Sequence, residues 1–186
     1  MALINSVTML FLMPIFGINQ GVQPIIGYNY GAKKYKRVKE ALKYSVAGAA
    51  IINAISFAFI ELFPRQIMSI FIDGDIRLLE LSSKGLVMFL MALPVVGVAM
   101  VITNYFQAIA KAKISIRLSL LRQVILLIPL ILIMSRLFKL EGVWMAQPIS
   151  DLLSALITTV FIVIELKNLG RLENVGSVDS NIEIVS

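Results

Sequence analysis

The chain has 186 residues, 59% hydrophobic and 15% charged, with a net charge of +6 and neither cysteine nor histidine. Soluble domains run near ~45–50% apolar and ~25% charged. The composition, with its mean hydropathy of +0.89, therefore excludes an ordinary soluble monomer and the disordered, collagen-like and disulfide-framework classes, and points to a bilayer as solvent.

Crossing ~30 Å of hydrocarbon takes ~20 apolar residues, and five such runs are predicted in chain order. The first covers about 2–26 and ends where Gly27, Asn29 and Gly31 lead into the basic cluster Lys33, Lys34, Lys36, Arg37 and Lys39. On it Asn19 and Gln23 are four apart and Gln20 and Gln23 three apart, one helical face closed by Pro24. The second covers about 41–63 and stops at Pro64, with Glu61 at its boundary. Residues 65–83, with the apolar stretch Ile67–Ile72 and a turn at Asp73, Gly74 and Asp75, are expected to form an interfacial amphipathic segment.

The third run covers about 84–110, where Pro94 and Gly97 precede the polar residues Thr103, Asn104 and Gln107, so a kinked helix with a polar inner stripe is expected. The fourth covers about 114–135 and contains Arg122. The fifth covers about 143–166, with Gln147, Ser150, Asp151 and Ser154 recurring at three and four beside Pro148. Continuous apolarity rather than alternation favours helices over barrel strands. From Lys167 the apolar periodicity fades, and 169–186 is expected to be a disordered cytoplasmic tail.

The fold class is thus all-α, a polytopic membrane bundle of five transmembrane helices in residues 1–168. Trp144, Tyr28 and Tyr30 are expected as interface anchors. Twelve of the 17 Lys and Arg residues fall at the ends of the spans on one side and five on the other. Cytoplasmic loops hold the excess, which places the Lys33–Lys39 cluster and the C-terminus in the cytoplasm and Met1 outside. An odd count with an exported start is what a chain cut from a longer, repeat-built protein shows. The same clustering between apolar runs argues against a nucleic-acid partner.

The polar faces, Asn19, Gln20, Gln23, Thr103, Asn104, Gln107, Gln147 and Ser150, are candidate cavity residues, with interhelical hydrogen bonding as the alternative. Asp151 lies eight residues past Val143, roughly 12 Å along a helix. At that depth it is a candidate for proton or cation coupling, or a structural partner of Arg122. Arg122 either turns inward to Asp151 or reaches the cytoplasmic headgroups, the reading that orientation favours. Without His, Cys, HExxH or paired aspartates, neither a metal site, a bound cofactor nor enzymatic activity is expected.

The stretch GINQGVQPIIGYNYGAKKYKRVKEAL, Gly17–Leu42, resembles a signature at the end of the eighth helix of the multidrug and toxic compound extrusion (MATE) transporters. YFQAIAKAKISIRLSLLRQVILLIPL, Tyr105–Leu130, is similar to the end of helix ten with its loop and helix eleven, and GVWMAQPISDLLSALIT, Gly142–Thr158, to helix twelve. The resemblance covers roughly residues 1–168 and implies part of the C-terminal lobe of a twelve-helix antiporter in the bacterial plasma membrane. Such a protein exports cationic and amphipathic drugs by alternating access, driven by protons or sodium. It further implies membrane lipids and a missing N-terminal lobe as partners, and a tight exit at the glycine of the GAKKYKR loop, Gly31. The family's acid on helix ten is absent, since residues 84–110 hold no Asp or Glu; the coupling acid is expected in the missing lobe, with Asp151 secondary. Alternatives are a membrane subunit packing against a partner protein, and a lipid-linked sugar flippase relative.

Overall fold

The computed structural model describes residues 2–72 and 75–185, with side chains over 3–72 and 75–173. These residues form helices and no strand. The order is α1 (Ala2–Gly31), α2 (Tyr35–Leu62), α3 (Pro64–Ser69), α4 (Ile76–Leu90), α5 (Leu93–Ala108), α6 (Ala112–Leu120), a π-helical stretch Leu121–Leu127, and α7 (Ile128–Val185). Helices α1 and α2 are each long and apolar enough to cross a membrane.

Helices α4 and α5 are long and apolar enough to cross a membrane only when taken together as a bent pair. Pro94 opens α5, where its missing N–H and its ring forbid a continuous helix, and the two halves meet at 47° across Met91 and Ala92. The expected kink is there, but the span starts at Ile76, so the second half of the supposed interfacial segment 65–83 belongs to it. Asp75 caps α4, its Oδ1 accepting from the Leu78 N–H at 3.0 Å; Asp73 and Gly74 lie outside the described residues. Of the segment's first half, Pro64–Ser69 is a separate short helix that buries Ile67 and Met68 and starts at a proline, which needs no N–H partner at that position.

The 62 residues Ala112–Glu173 follow one another as helix and would extend about 93 Å if straight. Lys139, at φ 52° and ψ −125°, folds them into two antiparallel limbs. The limbs approach so closely that a Cβ on Gly142 would lie 2.0 Å from the Met134 carbonyl oxygen. Among the described residues three helices are long and apolar enough to cross a membrane, or four when the bent pair counts as one span, and Lys139 divides the longest of them into its two limbs. The helical assignment runs through Val185. Over 169–173 the helix is anchored, with Leu169 fully buried and Glu173 bonded to Lys39 at 2.6 Å.

Two apolar cores stack along the bundle. One gathers Ile26, Leu42, Tyr105, Phe106, Leu118 and Leu169 near the basic end; the other gathers Val7, Ile60, Met68, Leu86, Leu93 and Trp144. Trp144 is 3% exposed and packs on the bare backbone of Gly85, where a Cβ would stand 2.8 Å from its ring. It is a core residue rather than the expected interface anchor, because the limb after Lys139 turns that face toward α4. Tyr28 is exposed, while Tyr30 stacks edge-on against Tyr35 at 5.9 Å.

The exits of α1 and α5 are built alike. Lys34 N–H bonds the Asn29 carbonyl and Lys33 N–H that of Tyr30; Lys111 N–H bonds Phe106 and Ala110 N–H bonds Gln107. Both are Schellman closures. The residues with positive φ are Lys33 at 58° and Ala110 at 60°, so Lys33, and not Gly31, makes the tight exit.

Candidate functional site

Helices α1, α5 and α6, the π-helical stretch and, at Ser154, α7 border a half-open cavity of about 340 Å³, within the ~300–1,000 Å³ typical of small-molecule sites. Its walls include Asn19, Gln20 and Gln23 from α1 and Thr103, Asn104 and Gln107 from α5. Helical spacing of three and four brings each set to one face, and the crossing of α1 with α5 makes the faces meet. Gly27 permits the crossing, since a Cβ there would lie 3.1 Å from the Ala108 carbonyl oxygen. Pro24, lacking an N–H, removes the usual helical donor of the Gln20 carbonyl.

These polar groups differ in what holds them. The Asn104 amide donates to the Asn19 carbonyl at 3.2 Å, Gln107 donates to Ser115 Oγ at 2.9 Å, and the Thr103 hydroxyl donates to Ala99 in its own helix at 2.8 Å. The side chains of Asn19, Gln20 and Gln23 donate to no described residue and remain on the cavity wall. Ser119, Arg122 and Gln123 complete the lining from the fourth span. Sequence reasoning had not placed them there, although their own spacing of three and four was the signal.

Gln147, Ser150 and Asp151 lie apart from this cavity. Gln147 and Asp151 line a separate space of about 40 Å³, whereas Ser150 is fully buried and donates to the Arg122 carbonyl at 3.0 Å. Arg122 borders both spaces. Its Nε donates to Asp151 Oδ1 at 2.7 Å, and Gln147 Nε2 stands 3.3 Å from both carboxylate oxygens. Arg122 therefore turns inward instead of reaching the headgroups: the hairpin at Lys139 sets it opposite Asp151, where a 5%-exposed carboxylate needs a counter-ion. The large cavity has no Asp or Glu in its lining.

The basic end carries the cluster expected to set topology. Lys33, Lys34, Lys36 and Arg37 are exposed, and Lys39 is drawn into its pair with Glu173. Lys111 grips both oxygens of the buried Glu165 at 2.6 and 2.7 Å, tying the α5–α6 turn to α7. No three Asp or Glu residues among the described residues come together as a metal site. The arrangement can hold a small molecule among neutral amides beside one guanidinium.

Comparison with known proteins places this geometry in context. A family model described as MatE matches residues 1–133. The multidrug export protein MepA of Staphylococcus haemolyticus is 26% identical over 154 residues, 83% of this chain and 33% of its own length. The FAD transporter of Shewanella oneidensis is 25% identical over 142 residues, 76% of this chain and 31% of its own. The solved structure of the MATE multidrug transporter DinF-BH, determined as a complex, superposes with a TM-score of 0.79 at 37% identity, over 84% of this chain and 35% of that one. The chain spans about a third of the length of each of these relatives.

Proposed function

Because the chain belongs to the MatE family of multi-pass membrane transporters, we propose that it is the C-terminal part of a multidrug antiporter that exports cationic or amphipathic compounds by alternating access and is inactive alone. The observation that carries this reading is the cavity itself: two helical faces rich in amides meet around a space of small-molecule size, beside two apolar cores. Amides donate and accept without a fixed charge, which suits varied ligands. The first six helices of such a transporter would form the facing lobe, and the seventh would complete this one. The basic cluster Lys33–Lys39 and the C-terminus are cytoplasmic in this reading.

Coupling to protons or sodium is assigned to an acid outside this chain. The cavity wall has no carboxylate, and Asp151, the secondary candidate, is held by Arg122 and Gln147. The test is ethidium accumulation in efflux-deficient bacteria. The 186-residue chain alone is expected to leave accumulation unchanged, whereas a transporter containing it as its C-terminal part lowers it. Gln23→Leu with Asn104→Leu in that transporter restores accumulation, and Asp151→Asn leaves export in place. Undiminished export with both cavity substitutions, in normally inserted protein, overturns the cavity reading; complete loss in inserted Asp151→Asn overturns its secondary rank.

A further inference from the structure

The geometry points to Arg122 as an anion-recognition point: the Nη groups of its guanidinium take an oxyanion group of an amphipathic ligand in the large cavity, while Nε stays on Asp151. This rests on the cavity reading above and narrows its ligand class to molecules that join an apolar body to a carboxylate or similar acid. Several observations carry it. Arg122 is the one charged residue in a wall without any acid. Of the five N–H donors of a guanidinium, only Nε is engaged, by Asp151; neither Nη group donates to a described residue. An ion pair built only to be structural at this burial tends to use the two-pronged fork that Arg and carboxylate offer, and here one prong is used.

The surroundings also let the guanidinium take a second partner while its Nε stays on Asp151. Asp151 is steadied independently by Gln147, and the Arg122 backbone by the Ser150 hydroxyl on its carbonyl. Arg122 stands on the π-helical stretch between the two spaces it borders, and wide turns of this kind recur at functional sites. An incoming oxyanion would meet the free Nη groups and, from the same wall, Ser119 and Gln123 as further donors. Hydrogen bonds between ionised partners are roughly twice as strong as neutral ones, so an oxyanion there is held more tightly than its neutral analogue.

The test is equilibrium dialysis of the purified 186-residue chain in uncharged detergent at pH 7, with protein-free micelles subtracted, using 1-naphthaleneacetate and its neutral analogue 1-naphthaleneacetamide. The wild-type chain is expected to bind the acetate at least tenfold more tightly than the amide. Asp151→Asn, which removes the competing carboxylate, raises acetate affinity further. Arg122→Gln with Asp151→Asn, which leaves no unpaired charge to unfold the bundle, abolishes the preference while still binding the amide. Persistence of the preference in that double variant overturns the proposal, as does equal binding of both probes by the wild type, which leaves the cavity reading standing. Binding of neither probe overturns the cavity reading and this inference together.

Discussion

The face formed by α1 and α5 and the hairpin that folds at Lys139 solve the same problem in opposite ways. Both carry polar side chains at membrane depth, where each needs a partner. On the first, neutral amides are only partly tied down, and Asn19, Gln20 and Gln23 remain on a cavity wall. On the second, a carboxylate and a guanidinium close on each other, with Gln147 and Ser150 fastening the pair from behind. An amide tolerates an incomplete set of hydrogen bonds at modest cost, whereas a desolvated charge does not. The neutral wall can therefore stay open to a ligand, while Asp151 on the hairpin is closed by Arg122 and Gln147 and Arg122 alone of the pair also borders the large cavity.

The contrast is broken most severely by removing one ion. Arg122→Ala should destabilise the chain by about 3–5 kcal/mol because it strands the 5%-exposed Asp151 carboxylate. Denaturant unfolding in detergent should show most of that loss recovered in Arg122→Met with Asp151→Leu, and a cost of the double variant equal to the single one would mean that packing, not charge, is at stake.

An intermediate effect is expected at the bend of α4 and α5, a closed polar contact without charge. Asn53, fully buried, donates to the Leu93 carbonyl at 3.0 Å, and a Cβ on Gly97 would sit 1.8 Å from its amide nitrogen. Gly97→Ala should then cost about 1–3 kcal/mol through overpacking. The same measurement on Gly17→Ala, where a Cβ would meet nothing within 4 Å, should show far less. The smallest effect belongs to the open wall: Asn104→Leu removes one interhelical bond and should cost about 0.6 kcal/mol, and a loss as large as that of Arg122→Ala would erase the distinction.

What was legible in the sequence follows from locality. The all-helical class, the bend at Pro94 and the grouping of Asn19, Gln20 and Gln23 or of Thr103, Asn104 and Gln107 depend only on hydropathy and on the 3.6-residue period. The meeting of those two faces, the inward turn of Arg122 and the burial of Trp144 depend on how distant helices register. Register here is set by backbone contacts at Gly27, Gly85 and Gly142 that no local pattern announces. The π-helical stretch lies just before Pro129, whose ring crowds the preceding turn. That proline was visible, but the kind of adjustment it elicits was not.

Lys33 closes the exit of α1 at φ 58°. A glycine there would relax the backbone by about 1 kcal/mol, as glycine commonly does at this place in a helix. It would also delete a cation from the cluster that, in the orientation proposed, faces the cytoplasm. In that orientation, backbone ease and insertion topology would pull on the same residue in opposite directions, so that Lys33→Gly would gain at the turn what it gives up in the cluster.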